Sequence, residues 1–283
     1  MNKRSWRGVL LLAAALIVLP ADAVVQEREK VGGFNLSVQA WTFNQFTAFE
    51  AIEKTSQSGA KLIELFPGQK MKADSDIQIG PGMDDAATNE LIDHLKKNNV
   101  RAIAFGVTGI SRDEAEARKL FAWAKKVGIE IINTESTDAL DTMEKMVKEF
   151  DMKVGFHNHP KRDNDANYKV WDPNYVLSIV KDRDQRIGAC ADTGHWVRSG
   201  IKPIDAIKIL KGRVVSSHLK DLHEFAPSGH DVPYGTGVSD IAAILTELKA
   251  QGFTGSLSIE YEHNWDKSLP EVAQCVGYVR GRG

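Results

Sequence analysis

At 283 residues the chain is one large domain or two small ones, and 42% hydrophobic content is ordinary for a protein that buries a sizeable core. The formal charge of −2, with no long run of Lys and Arg, excludes a basic nucleic-acid footprint. The two cysteines, Cys190 and Cys275, fall on a predicted strand and in the last predicted helix and are read as free, buried thiols.

The N-terminus reads as a targeting segment. Lys3, Arg4 and Arg7 form a positive region, an apolar run covers 9–19, and Ala21-Asp22-Ala23 has a small-x-small cleavage pattern. The apolar run is short for a bilayer, so a cleaved signal peptide over 1–23 is expected rather than a stable membrane anchor. No Cys follows it, which argues against a lipoprotein. The expected location is outside the cytoplasm, periplasmic or secreted. A short leader over 24–32 then precedes a folded domain over 33–283.

Within that domain one pattern repeats. A helical segment ends near Gly, Asn or Asp, a short apolar run follows, and a polar residue closes it. The runs span 34–41, 61–66, 100–107, 129–135, 153–159, 186–192, 214–220 and 256–262. The segments between them carry helical spacing. Ser111-Arg112-Asp113-Glu114 reads as a capping box before a helix over 115–127, where Leu120, Ala124 and Val127 share a face. Helices are also expected over 138–150, 240–248 and 269–278; in the second of these Ile241, Ile244, Leu245 and Leu248 align. Strands alternating with helices imply a parallel sheet, and eight such units imply a closed, single (β/α)8 TIM barrel. An open doubly wound sheet is the alternative, but no Gly-rich dinucleotide fingerprint follows the first strand.

Seven of the eight histidines lie between His157 and His263, at or just after predicted strand ends. In a barrel those ends converge on one face, where active sites sit. His157 and His159 share a side of the fifth strand. Asp192, His218 and Glu260 close the next three. One His, one Asp, one His and one Glu from four successive strands make a mixed N/O donor set that suits a divalent Mn, Co, Zn or Fe ion better than Ca. Each alone reads equally well as a satisfied polar residue; the set of four carries the metal. Glu135, at the end of the fourth strand, is a fifth ligand, a base or an N-terminal helix charge. Lys220 either stabilises an oxyanion or pairs with a carboxylate. Glu64, His195, Trp41 and Trp196 are candidate substrate contacts, with a solvated strand end the alternative for Glu64 and core packing the alternative for the aromatics.

The segments Ala-Asp-Thr-Gly-His at 191–195, Ser-His-Leu-Lys-Asp at 217–221, Gly-Thr-Gly at 235–237 and Ser-Ile-Glu-Tyr-Glu at 258–262 together resemble the xylose isomerase-like barrel superfamily. Within it they look like the sugar phosphate isomerase/epimerase group. The resemblance implies a metal held by His157, Asp192, His218 and Glu260, with His157 standing where many members carry Glu. That Glu doubles as an acid/base group in the epimerases, so its replacement points away from two-base chemistry. Relatives also use an Arg after the seventh strand to hold substrate, and 222–234 contains none. The absence suits an unphosphorylated sugar.

The expected activity is therefore metal-assisted removal of a proton next to a sugar carbonyl, with Glu260, Glu135 or His159 as base. Isomerisation or epimerisation and β-elimination from a 3-keto glycoside share that first half, and both stay open. Two rivals stand beside it. An apurinic-site endonuclease needs a basic DNA face that the charge balance lacks. A non-catalytic sugar- or metal-binding protein would use the same fold. Assembly into a homo-oligomer is left open.

Overall fold

The structure is a computed structural model that describes residues 30–282. The expected signal peptide over 1–23 lies outside these residues, as does the leader up to residue 29. Among the described residues no helix is long and apolar enough to cross a membrane.

The barrel strands are β1 (Asn35–Gln39), β2 (Leu62–Leu65), β3 (Arg101–Phe105), β4 (Ile131–Thr134), β5 (Lys153–His157), β6 (Ile187–Asp192) and β7 (Val214–Leu219). A two-residue antiparallel ribbon, β8 (Asp221–Leu222) with β9 (Asp231–Val232), follows, and β10 (Ser256–Ile259) is the eighth barrel strand. They close in the order β1-β10-β7-β6-β5-β4-β3-β2, and the barrel pairs are parallel. This is the single (β/α)8 TIM barrel that the strand count predicts. Each barrel strand is shorter than its apolar run. The first, for instance, ends at Gln39, whose side chain accepts from Trp41 N and turns the chain into a 3-10 turn over Ala40–Phe43.

The outer ring comprises α1 (Ala48–Gln57), α2 (Asp85–Lys97), α3 (Glu114–Val127), α4 (Leu140–Phe150), α5 (Pro173–Val180), α6 (Thr193–Arg198), α7 (Pro203–Ile209), α8 (Ile241–Ala250) and α9 (Leu269–Arg280). Burying one apolar stripe per helix against the strands makes the core, with Leu91, Phe121, Met146, Ile244 and Val276 among its residues. The α3 cap differs from the capping box expected at Ser111. Asp113 is the N-cap and accepts from Ala115 N and Glu116 N, while Ser111 Oγ accepts from Asp113 N. Cys190 and Cys275 are both buried and free, as expected.

The barrel axis is unusually polar. Ser37 bonds both Ser256 (2.7 Å) and Ser258 (2.8 Å), and Ser216 donates to Asn133 (2.6 Å). Buried polar groups are tolerated only when paired, so these bonds form a satisfied floor beneath the strand ends.

Candidate active site

The residues that close β5, β6, β7 and β10 meet on that floor. Adjacent strands are clamped in register by side chains of the same motifs. Asn158, between the two histidines, donates to Asp192 O (3.0 Å) and accepts from Asp192 N (2.9 Å). Thr193 Oγ1 donates to Lys220 O (2.9 Å) and accepts from Lys220 N (2.7 Å). Asp192 caps α6 with Oδ1, accepting from His195 N at 2.7 Å, which leaves Oδ2 aimed at the barrel axis. Gly194 is required here, since a Cβ at that position would lie 2.8 Å from Lys220 Cβ and 2.7 Å from its Cδ.

The result is a buried cluster. His157, Asp192, His218 and Glu260 each offer a donor atom within 4.8 Å of the others. His157 Nε2 is 3.4 Å from Asp192 Oδ2, and His218 Nδ1 is 3.0 Å from Glu260 Oε2. Neither ring nitrogen of His157 makes a hydrogen bond among the described residues, although the ring is 1% exposed. Such an orphaned buried imidazole, facing two carboxylates and a second imidazole, fits a divalent transition-metal ion. The cluster can therefore hold a metal.

Both imidazoles have a carboxylate behind them. His218 Nε2 bonds Glu64 Oε1 (2.9 Å), which frees Nδ1 to face the cluster. Behind His157, Glu135 Oε1 lies 3.8 Å from Nδ1. A carboxylate in this place fixes the tautomer and orientation of a metal-binding histidine. Burial alone would push the Glu64 carboxyl up; the His218, Ser258 and Asn133 hydrogen bonds outweigh it and hold it low. Glu64 is 0% exposed and Ser258 takes its second oxygen at 2.6 Å, so it cannot reach a substrate. The substrate contact expected of it is corrected: barrel closure places the end of β2 under His218.

Of the two readings of Lys220, the structure favours carboxylate pairing over the oxyanion role. Its side chain is 0% exposed, and Nζ lies 2.7 Å from Glu260, 2.8 Å from Glu262 and 3.0 Å from Asp192. Burial disfavours the charged amine, but these carboxylates raise its pKa well above the usual value. Lys220 is the counter-cation of the cluster and does not face the cavity. Trp196 takes the core-packing alternative and not the substrate contact. The first turn of α6 rotates it into the core at 2% exposure, away from any substrate.

Above the cluster lies a cavity of about 300 Å3, lined by Trp41, Phe66, His157, His159, His195, Glu260 and Glu262. His159 Nδ1 bonds Glu135 Oε1 at 2.6 Å, and Tyr168 ties the pair together: its Oη donates to Glu135 (2.7 Å) and accepts from His159 N (2.7 Å). Burial would raise the Glu135 pKa, but the nearby His157 imidazole and the hydrogen bonds to His159 and Tyr168 bring it far below the usual carboxylate range. An ionised Glu135 assigns the proton to His159 Nδ1 and leaves Nε2 as the free nitrogen of a cavity-lining ring.

His195 is held differently. Arg198 Nη1 donates to its Nδ1 (3.1 Å), so Nε2 carries the proton, and burial together with Lys220 keeps the ring neutral. Arg198 also donates to Glu262 (2.9 Å), Asp231 (3.1 Å) and Gly229 O (2.9 Å). Sequence reasoning missed Glu262 and Arg198 as parts of the site. The available signal was spacing: Arg198 is one helical turn beyond His195, and Glu262 shares a strand side with Glu260. The Gly-Thr-Gly motif is structural. Gly235 N and Gly237 N donate to Asp221 Oδ2, and a Cβ on Gly237 would lie 2.4 Å from Asp221 Oδ1.

The family described as xylose isomerase-like TIM barrel matches residues 52–276. A putative uncharacterized protein from Parabacteroides distasonis is similar at 31% identity, covering 88% of this chain and 99% of its own, with a TM-score of 0.71. D-allulose 3-epimerase from Methylomonas shares the fold at 13% identity, 88% and 98% coverage and a TM-score of 0.67. A sugar phosphate isomerase/epimerase from Parabacteroides distasonis does so at 11% identity, 87% and 95% coverage and a TM-score of 0.64. No curated protein matches the chain.

Proposed function

This chain belongs to the xylose isomerase-like TIM barrel family, and from that premise we propose that it is a divalent-metal-dependent enzyme removing a proton next to the carbonyl of an unphosphorylated sugar. The observation that carries the reading is the juxtaposition of two assemblies. A four-residue donor cluster forms the cavity floor, and a carboxylate-held histidine, His159 on Glu135, stands on its wall.

A metal held by His157, Asp192, His218 and Glu260 would supply Lewis-acid polarisation of the sugar carbonyl and so acidify the neighbouring C–H. The chain does the rest. His159, oriented through Nδ1, takes the proton on Nε2 in the way a carboxylate-oriented imidazole serves as general base. Neutral His195 offers Nε2–H to the sugar oxygen where negative charge develops, a donor that adds no fixed charge. Glu135, Tyr168 and Arg198 position these two rings. Lys220 holds Asp192, Glu260 and Glu262 in place. Return of the proton to the neighbouring carbon gives isomerisation, return to the opposite face of the same carbon gives epimerisation, and loss of a β-leaving group gives elimination.

The absence of phosphate recognition supports a neutral sugar. Among the described residues, no Lys or Arg lines the cavity, and Arg198 is committed to four acceptors. From the charge and apolar pattern of 1–23 we also propose that the enzyme works outside the cytoplasm.

The test is metal analysis of purified protein beside His218→Ala, with solvent deuterium exchange into a panel of ketoses and 3-keto glycosides. About one transition metal per chain, lost in the variant, with metal-dependent exchange into at least one sugar, is expected. A protein that takes up no Mn2+, Co2+ or Zn2+ would overturn the reading. Tight metal binding with no exchange would favour the sugar- or metal-binding role instead.

A further inference from the structure

Beside the reaction cavity the barrel face carries a second groove, of about 530 Å3, and the two share a wall made of Trp41 and Phe66. The inner cavity, about 300 Å3, sits at the lower end of the roughly 300–1,000 Å3 range of small-molecule sites. The outer groove therefore offers more room than a single small ring in the inner cavity would use.

The partition between them is a rigid aromatic platform. Trp41 is 41% exposed, an unusual exposure for an indole. Phe66 meets it edge-on (5.1 Å, 82°) and Trp265 does so from another side (6.5 Å, 84°). A flat apolar face held this way suits the C–H face of a pyranose.

Beyond the platform the wall is built of amides. The side chains of Asn44 and Gln45 line the groove and make no hydrogen bond among the described residues. Gln69, also lining it, is 3% exposed; its Nε2 donates to Phe43 O (3.4 Å) and Phe46 O (3.1 Å). That orientation turns Oε1 away from both carbonyls, and no donor among the described residues meets it. A buried unpaired acceptor is costly, and one at a groove wall points to a ligand that donates. Amides offer a donor and an acceptor together, as a sugar hydroxyl does. The groove's charged groups are Glu50, engaged in the Thr47 capping box, and the exposed Lys70, so its chemistry selects a neutral polyol over an anion.

We propose that this groove is a second sugar subsite and that the substrate is a two-ring or longer glycoside. The reacting ring occupies the inner cavity, and its neighbour lies across Trp41 against Asn44, Gln45 and Gln69. This rests on the sugar-enzyme reading for the inner cavity alone.

The experiment is calorimetric titration, with saturation-transfer NMR, of metal-loaded protein using glucose, maltose, cellobiose and sucrose as probes. At least one two-ring sugar is expected to bind about tenfold or more tightly than glucose, a difference of about 1.4 kcal/mol. The double variant Asn44→Ala/Gln45→Ala, at surface positions with no internal partner, should erase that advantage and leave glucose affinity within about twofold. Trp41→Ala should weaken both. Two-ring sugars that bind no better than glucose would overturn the subsite, as would a double variant that weakens every sugar alike. Deuterium exchange separates this from the chemistry. A two-ring advantage without exchange into any sugar keeps the subsite and sinks the reaction; exchange without that advantage does the reverse.

Discussion

Replacing Glu64 by glutamine removes one charge from the barrel floor and alters little else. The carboxylate is fully buried and accepts from His218 Nε2 at 2.9 Å, Asn133 Nδ2 at 2.7 Å and Ser258 Oγ at 2.6 Å. Glutamine fits the same volume. Its Oε1 still accepts from His218 and Asn133, and its amide N–H can donate to Ser258 Oγ. What changes is the His218 bond, from charge-assisted to neutral. Hydrogen bonds to charged groups contribute about 1.5–3 kcal/mol and neutral ones about 0.5–1.5. The difference between the midpoints, about 1.25 kcal/mol, is about eightfold in metal affinity. That lies at the lower edge of the roughly 10–100-fold range typical of groups behind a metal-binding histidine. Titration of Co2+ into metal-free wild type and Glu64→Gln measures the loss, and the Co2+ absorption spectrum reports whether His218 still coordinates. Unchanged affinity together with an unchanged spectrum would refute the positioning argument and leave Glu64 a packing residue.

Other perturbations reach different parts of the site. His159→Asn should lower turnover by about 10²–10⁴-fold with metal affinity kept, and Glu135→Gln by less; equal rates in the His159 variant would remove it as the base. Asp231, buried beside Arg198, is pushed by burial from 3.8 up to about 7. The folded carboxyl then keeps a proton that the unfolded chain releases, so its contribution to stability is full below about pH 4 and lost as pH rises to about 7. Asp231→Asn should flatten that fall by on the order of 4 kcal/mol, read from denaturant midpoints across the window; an unchanged slope would contradict the burial account. Gly194→Ala forces a methyl to within 2.8 Å of Lys220 Cβ and should cost about 1–3 kcal/mol of stability, checked by thermal unfolding.

Strand number and the cluster on β5 to β7 and β10 were legible because both depend on short-range rules. Alternation sets which side a residue takes, and eight repeats set closure. Depth was not legible. Glu64 and Trp41 both close on the same end of the barrel, yet one is fully buried under His218 and the other is 41% exposed at the rim. That difference comes from register between strands and from where each turn begins, neither of which a single run encodes. Trp196 shows the same limit. Asp192 looks like the last residue of a strand, but it also caps α6, and the helical turn carries Trp196 inward while leaving His195 on the cavity. The family resemblance puts a substrate-holding arginine after the seventh strand, and Arg198 lies outside that segment. Here an arginine reaches that region from α6 and binds acceptors on both sides of it.

The charge balance explains why these pieces belong together. Asp192, Glu260 and Glu262 converge on Lys220 Nζ, all within 3.0 Å, and the four groups lie in a low-dielectric interior. One ammonium cannot neutralise three carboxylates, and Arg198 reaches only Glu262 among them. Behind the cluster stand Glu64 and Glu135, each bonded to an imidazole. Removing ionised carboxylates from water costs several kcal/mol each unless positive charge accompanies them. Protonating His157 and His218 would supply some of it, and both are indeed raised in pKa against the effect of burial by the acids around them. A divalent cation supplies the same charge and leaves both rings neutral, which is the state in which imidazole ligates. The acids that make the cluster costly without a metal are therefore the ones that would make it bind, and proton release on metal addition is the direct consequence. Titrating Mn2+ into weakly buffered metal-free protein near neutral pH should release protons, in proportion to metal bound and less in His218→Ala; metal uptake with no proton release would show that the imidazoles were neutral beforehand and that the charge is balanced in another way.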